Sequence, residues 1–268
     1  MADAAPDELY VRRWAPPGPA GGLVVLVHGL AEHSGRYEWV AERLTDAGYA
    51  VFGYDARGHG RSPGPRGHAD RYATLLDDLD RMIDRAADET RVERRFLYGH
   101  SLGGALVLNH ALRGRRPLAG VVASSPFLQT TEPPPAWKVP VAKALSRLWP
   151  TAPLDPGIAP GLRSHDPQVD IDYDADPLTH YQITARLAVE AIRAGRWAVE
   201  HASELATPTL LLHGDADAIT SHSASARFAR AAGPICDFRS WPGKLHELHF
   251  EDNRDEVLDA VLAWLAAR

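Results

Sequence analysis

Short hydrophobic runs alternate along the chain with longer amphipathic segments. Residues 23–27 form a continuous aliphatic run, which is typical of a strand buried on both faces of a sheet. Within residues 72–87, aliphatic residues recur at helical spacing and predict a helix with one apolar face. The pattern predicts strands over 8–14, 23–27, 49–54, 95–98, 118–123, 209–213 and 235–241, and helices over 37–47, 72–87, 102–112, 223–232 and 251–266. Strands that alternate with helices indicate an α/β fold, with a mostly parallel central sheet flanked by helices.

The segment from residue 126 to residue 206 interrupts this alternation. It contains no aliphatic strand run and is rich in proline and aspartate. A structureless loop of this length would be unusual inside a compact domain. We therefore predict an inserted, mainly helical cap over 126–206, carried by a core domain made of 1–125 and 207–268.

One part of the predicted cap has an apolar side. Trp137, Val141, Leu145, Leu148 and Trp149 fall at helical spacing, and basic residues occupy other positions of the same predicted helix. One interpretation is a helix that packs onto the body of the protein. The other is an amphipathic lid that contacts a lipid surface, with its basic residues attracted to anionic head groups.

Charge and cysteine content narrow the classes of protein. The 268 residues carry a formal net charge of −6, so no basic surplus points to nucleic acid as a partner. Cys236 is the single cysteine, which excludes an internal disulfide framework and a cysteine-based zinc site. The first ten residues carry acids where a signal peptide needs positive charge. We expect a cytoplasmic protein, with contact to a membrane surface through the cap left open; no feature indicates the oligomeric state.

The segment YGHSLGG, residues 98–104, surrounds Ser101 with three glycines. A strand is predicted before it and a helix after it, so it fits the strand–turn–helix context of the G-x-S-x-G nucleophile elbow. Such a turn strains the backbone, and a β-carbon on a neighbouring residue would clash. We therefore predict that Ser101 is a nucleophile rather than an ordinary turn residue.

A nucleophilic serine needs a base, and the base needs a carboxylate that orients it. In this kind of site the chain order is serine, acid, histidine. Asp215 and Asp217 both follow the predicted strand 209–213, and either could serve as the acid. His246 follows the strand 235–241 and completes the ordered set. We expect most other histidines, His213 among them, to be structural or exposed.

Acyl transfer also needs donors for the oxyanion of the tetrahedral intermediate. The backbone N–H of Leu102, directly after the nucleophile, is one candidate. The loop after the strand 23–27 should supply the other, and we assign it to the N–H of Leu30.

Five motifs, in this order, resemble those of the monoacylglycerol lipases, which belong to the lysophospholipase and serine aminopeptidase branch of the α/β-hydrolase fold. They are HGLAEHSGRY (28–37), YDARGHGRSPG (54–64), GHSLGG (99–104), HGDADAIT (213–220) and HELHFE (246–251). The resemblance covers most of the chain and is weakest in the predicted cap. It implies an α/β-hydrolase fold and a serine hydrolase activity.

The resemblance also implies roles for individual residues. The nucleophile falls on Ser101, the base on His246, and the acid on Asp217 rather than Asp215. The sequence departs from the pattern of some members of this family at Thr220, where those relatives carry a cysteine.

In monoacylglycerol lipases a polar pocket holds the glycerol, and the matching positions here are Glu32, Arg36 and His249. A carboxylate, a guanidinium and an imidazole can satisfy hydroxyl groups that both donate and accept hydrogen bonds. The alternative is that Glu32 and Arg36 form a structural ion pair and that His249 is exposed.

These observations predict a serine carboxylester hydrolase that cleaves monoacylglycerols to fatty acid and glycerol through an acyl-enzyme intermediate. The substrate is a small lipid ester, and the mechanism requires neither a metal nor an organic cofactor. The nearest alternatives are a lysophospholipase and a broad-specificity esterase for short and medium chains. A peptidase, a haloperoxidase and an epoxide hydrolase share the fold, but the last needs a carboxylate in place of Ser101. A catalytically inactive binding protein is disfavoured by the complete serine, acid and histidine set.

Overall fold

The computed structural model describes residues 8–268. The first seven residues lie outside this range. They include the start of the predicted core range 1–125 and most of the N-terminal segment in which no signal peptide is expected.

A mostly parallel sheet forms the centre of the molecule. Its strands lie in the order β1, β3, β2, β4, β5, β8, β9, and β1 is an antiparallel edge strand beside β3. This confirms the predicted α/β class. The strands are β1 Val11–Trp14, β2 Gly22–Val27, β3 Tyr49–Tyr54, β4 Arg95–His100, β5 Gly120–Ser124, β8 Thr209–Gly214 and β9 Cys236–Trp241, while β6 Pro153–Leu154 and β7 Ile183–Thr184 form a separate antiparallel pair.

Helices cover both faces of the sheet. They are α1 Glu38–Asp46, α2 Tyr72–Thr90, α3 Leu102–Leu112, α4 Lys138–Leu148, α5 Gln168–Ala175, α6 Ala185–Glu200, α7 His222–Ala232 and α8 Arg254–Ala266, with 3₁₀ turns at Ser34–Tyr37, Ala202–Glu204, Gly233–Ile235 and Leu248–Phe250. Along β2, Val25 packs in the hydrophobic cluster beneath α2 and α3, whereas Val24 and Leu26 pack in the cluster beneath α1 and α8. A strand buried on both faces is what the continuous aliphatic run predicts.

The ends of two predicted helices differ from the structure by three residues, and the other predicted helix ends agree to within one residue. The helix predicted over 251–266 begins at Arg254, because residues 248–250 form a 3₁₀ turn and Glu251 has extended backbone. The helix predicted over 72–87 continues to Thr90 and ends where Arg91 takes a left-handed conformation with φ of 58°. In both places the spacing of apolar residues does not predict the backbone conformation at which the helix begins or ends.

Between β5 and β8 the chain forms α4, α5 and α6 together with the short β6–β7 pair. This content is mainly helical, and α6 packs against both α4 and α3. The boundaries 126 and 206 of the cap stay a prediction. Among residues 8–268, no helix is long and apolar enough to cross a bilayer.

Candidate active site

Ser101 lies at a strained turn between β4 and α3. Its φ is 52° and its ψ is −114°, a conformation that residues with a side chain rarely adopt. A β-carbon on Gly99 would lie 2.4 Å from the carbonyl oxygen of Gly103, and one on Gly103 would lie 2.3 Å from the carbonyl oxygen of Val27. The glycines therefore let the elbow approach the end of β2, and the serine is held outward at the carboxyl edge of the sheet.

A cavity of about 740 Å³ opens above this edge. Ser101, His246 and Glu32 lie on its wall, as do the predicted oxyanion residues Leu30 and Leu102. Its volume falls within the range of small-molecule sites. The structure thus gathers these residues from three distant parts of the sequence around one cavity.

Asp217 is the carboxylate that meets His246. His246 Nδ1 donates to Asp217 Oδ2 at 2.7 Å, and the aspartate side chain is fully buried. Asp215 instead accepts the backbone N–H of Gly243 at 2.6 Å at an exposed site. Because Nδ1 carries the proton shared with Asp217, the other ring nitrogen, Nε2, can accept one.

The electrostatics of this pair favour an ionised acid and a basic imidazole. Burial alone would raise the pKa of Asp217, but the imidazoles of His246 and His213 outweigh it and hold that pKa well below its usual range. Burial would lower the pKa of His246, but the Asp217 carboxylate outweighs it, so that the pKa is raised. This is the arrangement a general base beside a serine requires.

Ser101 and His246 share the cavity wall but are not directly bonded. Among the described hydrogen bonds, none joins Ser101 Oγ to a nitrogen of His246. His100, next to Ser101 in the chain, packs its ring 4.7 Å from that of His246. Burial, together with the neighbouring His246, lowers the pKa of His100 to about 3, so His100 stays neutral beside His246.

The two predicted oxyanion donors lie on either side of the elbow. Leu102 is the first residue of α3, where the amides have no partner within the helix. Leu30 follows β2 in a loop that is held by Glu32, whose Oε1 accepts the N–H of Gly29 at 2.5 Å. Among residues 8–268, neither the Leu30 nor the Leu102 amide donates to a backbone carbonyl, so both remain available.

Of the three residues predicted to hold the glycerol, only Glu32 lies on the cavity wall. Arg36 lies behind it and bridges Glu32 at 2.7 Å and Glu247 at 2.8 Å, which is the ion pair of the alternative interpretation. His249 is buried rather than exposed, because its ring stacks on Tyr37 with 4.8 Å between centroids. The part of the alternative interpretation in which His249 is exposed is therefore wrong, and its contact with substrate stays a prediction.

Sequence reasoning missed three residues of the site. Glu247 lies on the cavity wall, and although burial would raise its pKa, Arg36 lowers it to about 2. Arg163, in the segment between β5 and β8, also lies on the wall. His213, expected to be structural or exposed, is fully buried, and its Nε2 lies 3.1 Å from Asp217 Oδ2. The i, i+4 spacing of His213 and Asp217 around the end of β8 was the signal that could have revealed it.

The remainder of the cavity wall is largely apolar. It is formed by Phe127, Leu154, Ile158, Leu162, Ile183, Ile192 and Ile219, among others. Within residues 8–268, no three His, Cys, Asp or Glu side chains converge so as to hold a metal ion. The arrangement can bring a serine, a base and two free amides to the carbonyl of a molecule that has one polar end and one long apolar end.

The chain resembles known proteins in both sequence and structure. A family model described as "Serine aminopeptidase, S33" matches residues 18–253. The chain is 34% identical over 256 residues to a monoacylglycerol lipase of Mycolicibacterium smegmatis, covering 95% of this chain and 91% of that protein. It is 30% identical over 273 residues to the monoglyceride lipase of Homo sapiens, covering 100% and 90%. The crystal structure of Paleococcus ferrophilus monoacylglycerol lipase matches with a TM-score of 0.90 and 36% identity, covering 97% and 99%.

Proposed function

Because the chain belongs to the serine aminopeptidase S33 family of α/β-hydrolases, we propose that it is a carboxylic ester hydrolase that cleaves monoacylglycerols to fatty acid and glycerol. The observation that carries this proposal is that His246, bonded to Asp217, lies on the wall of the same cavity as Ser101. The apolar side of that cavity suits an acyl chain. The similarity over nearly the whole length to proteins named monoacylglycerol lipase supports the choice of substrate.

The residues have the following roles in the proposed reaction. Ser101 Oγ attacks the ester carbonyl while His246 Nε2 takes its proton, and the contact between the two tightens in the substrate complex. The amides of Leu30 and Leu102 stabilise the oxyanion. Asp217 stabilises the imidazolium that forms.

Collapse of the tetrahedral intermediate completes the first half of the reaction. His246 donates its proton to the leaving glycerol oxygen, and the acyl group remains on Ser101 as an ester. Water then attacks this ester with His246 again as the base, which releases the fatty acid and restores the serine.

The polar end of the cavity suits a neutral alcohol. Glu32 accepts hydrogen bonds from Gly29, Tyr37 and Arg36, which leaves room for one further donor such as a glycerol hydroxyl. Glu247 adds a second carboxylate to the wall, and Arg163 is already bonded to Asp170 at 2.6 Å. This charge distribution favours glycerol over the phosphate of a lysophospholipid.

A hydrolysis panel tests the proposal. It compares monoacylglycerols, diacylglycerols, lysophospholipids, p-nitrophenyl esters and aminoacyl amides at matched concentration. We expect monoacylglycerols to give the highest kcat/KM, and labelling by a fluorophosphonate to disappear in Ser101→Ala. A higher kcat/KM on another substrate class would contradict the proposed substrate. A wild-type protein that the fluorophosphonate does not label would contradict the proposed hydrolase activity.

We also propose that this enzyme is cytoplasmic and that it contacts lipid surfaces through α4. Trp137 and Leu148 are 66% and 86% exposed, and Trp149 at the end of the helix is exposed too. A helix that served only to pack onto the body would bury these side chains. Basic residues on the same helix can approach anionic head groups.

Liposome co-sedimentation tests the lipid contact. We expect the Trp137→Ser/Trp149→Ser variant to partition less onto anionic vesicles than wild type. The matched control is Ile171→Ser, which removes an apolar side chain that is 58% exposed on a different helix, α5. This variant should partition onto the vesicles as wild type does. If all three proteins partitioned equally, α4 would not be the segment that contacts lipid surfaces.

A further inference from the structure

Oδ2 of Asp217 accepts hydrogen bonds from three side chains. His246 Nδ1 lies at 2.7 Å, Thr220 Oγ1 at 2.8 Å and His213 Nε2 at 3.1 Å. The other carboxylate oxygen, Oδ1, accepts the backbone N–H groups of Ile219 and Thr220. The acid thus holds the base with one bond while four other bonds fix the carboxylate in place.

The neighbours of His213 indicate which of its ring nitrogens carries a hydrogen. Nε2 faces Asp217 Oδ2 and the carbonyl oxygen of Thr220, both at 3.1 Å, and both of these atoms can only accept. Nε2 therefore carries the proton, and Nδ1 accepts from Ser225 Oγ at 2.8 Å. Because the side chains of His213 and Asp217 are fully buried, this pairing is shielded from water.

Thr220 contacts both members of the acid–base pair. Besides its bond to Asp217, its Oγ1 lies 3.2 Å from His246 Nδ1 and 3.1 Å from the carbonyl oxygen of Ser125. The hydroxyl has one proton to donate, and the shorter distance to Asp217 Oδ2 favours the carboxylate over the carbonyl oxygen of Ser125 as its acceptor. A side chain without a hydroxyl at this position would leave Oδ2 with one donor fewer.

We propose that His213 and Thr220 are positioning residues, which aim Oδ2 of Asp217 at His246 and share its negative charge. The proposal rests on the proposed function of the Asp217–His246 pair. A donor bonded to a carboxylate stabilises the ionised form, so it weakens the attraction between that carboxylate and a neighbouring imidazolium. His213 and Thr220 would thus set how basic His246 is, as well as where it points.

We expect the other groups that face His246 to stay in place when these two residues are changed. They are His100 at the end of β4, whose ring is neutral, Glu247 beside it in the same loop, and Glu32 in the loop after β2. Removing a donor from Asp217 should therefore raise the pKa of His246 through Asp217 alone. A general loosening of the site would lower the rate without that rise.

The test compares Thr220→Val with Thr220→Ser, and His213→Leu with His213→Gln. Valine keeps the shape of threonine without the hydroxyl, while serine keeps the hydroxyl and glutamine keeps an N–H donor. We expect Thr220→Val and His213→Leu to lower kcat about tenfold, the size of one lost hydrogen bond to a charged group, with KM nearly unchanged. Their kcat/KM profiles should reach half-maximum at higher pH, and serine and glutamine should restore both rate and profile.

Two outcomes would overturn the inference. One is a Thr220→Val enzyme with wild-type rate and wild-type pH profile; the other is a loss of rate with no movement of the profile. Thermal unfolding identifies a His213→Leu protein that fails to fold, in which case Thr220→Val decides. The rate of fluorophosphonate labelling serves as a second readout, so the inference remains testable even if monoacylglycerols prove to be the wrong substrate.

Discussion

Glu32 Oε1 accepts the backbone N–H of Gly29 at 2.5 Å, and the hydroxyl of Tyr37 donates to the same oxygen at 2.7 Å. The carboxylate that faces the polar end of the cavity therefore also supports the loop that carries the Leu30 amide. In the proposed reaction this residue would connect recognition of the alcohol with stabilisation of the oxyanion.

The double role of Glu32 can be separated with two substitutions. Glu32→Ala removes the acceptor for Gly29, so we expect it to lower kcat about 10²-fold on both monoacylglycerols and p-nitrophenyl esters, because it displaces an oxyanion donor. Glu32→Gln keeps an oxygen for Gly29 and should retain most of the activity on p-nitrophenyl esters. Steady-state kinetics on both substrates checks this. If Glu32→Ala impaired only monoacylglycerol hydrolysis, Glu32 would be a substrate contact and not a support of the loop.

The choice between the two candidate acids is tested by a matched pair of variants. Asp217→Asn should lower kcat about 10⁴-fold, because an amide cannot stabilise the imidazolium and favours the wrong tautomer of His246. Asp215→Asn keeps an oxygen for the N–H of Gly243 at an exposed site and should leave kcat nearly unchanged. Initial rates on one ester substrate suffice, and equal losses in both variants would contradict the assignment.

Much of the fold and part of the site could be predicted from local patterns in the sequence. The aliphatic run of β2 and the glycines around Ser101 are local signals, since burial on two faces and a tight turn impose their residue types directly. The order of serine, acid and histidine along the chain identified His246 as the candidate base. Asp215 and Asp217 follow the same strand and have the same side chain, so position and residue type could not decide which of them is the acid. The family resemblance was needed to choose Asp217.

The contacts between distant segments could not be read from the sequence. Arg36 and Glu247 are 211 positions apart, and nothing in either motif specifies that they form a buried ion pair. His249 stands where the resemblance predicts a substrate contact, yet stacking on Tyr37 decides where its ring lies. Such outcomes depend on packing between elements, which residue spacing does not encode.

The pH dependence of the reaction should report the raised pKa of His246. The base must be neutral to take the serine proton, so kcat/KM should rise with pH and reach half-maximum above about 6.5, the ordinary histidine value. His100, with a pKa of about 3, does not titrate in this window. A profile measured from about pH 5 to pH 9 checks the prediction. A half-maximum below the ordinary value would show that Asp217 does not control the base.

The buried Glu247 should make stability depend on pH. Burial would raise its pKa, but Arg36 lowers it from 4.5 to about 2. Because the folded-state pKa lies below the unfolded one, the stabilisation is present above about pH 4.5 and is lost as the pH falls towards 2. Urea unfolding at pH 7 and at about pH 3 measures the difference.

Glu247→Gln tests the source of this pH dependence. It should lower the free energy of unfolding at pH 7 by about 3 kcal/mol or less, because Arg36 keeps Glu32 as a partner. The gap between variant and wild type should narrow at low pH. Asp255→Asn, at an exposed site, is the control and should change little. A gap that does not depend on pH would mean that the charge of Glu247 is not what stabilises the fold.

The contact between α3 and β2 predicts a strong effect of a single methyl group at Gly103. A β-carbon there would lie 2.3 Å from the carbonyl oxygen of Val27 and 2.5 Å from that of His28, both of which are backbone atoms that cannot turn aside. Gly103→Ala should therefore lower the free energy of unfolding by about 3 kcal/mol and reduce kcat, because relief of the clash moves the elbow away from the Leu30 loop. Gly18→Ala, where no atom lies within 4 Å of the added carbon, is the control. Equal urea midpoints for the two variants would show that the elbow does not depend on this close approach.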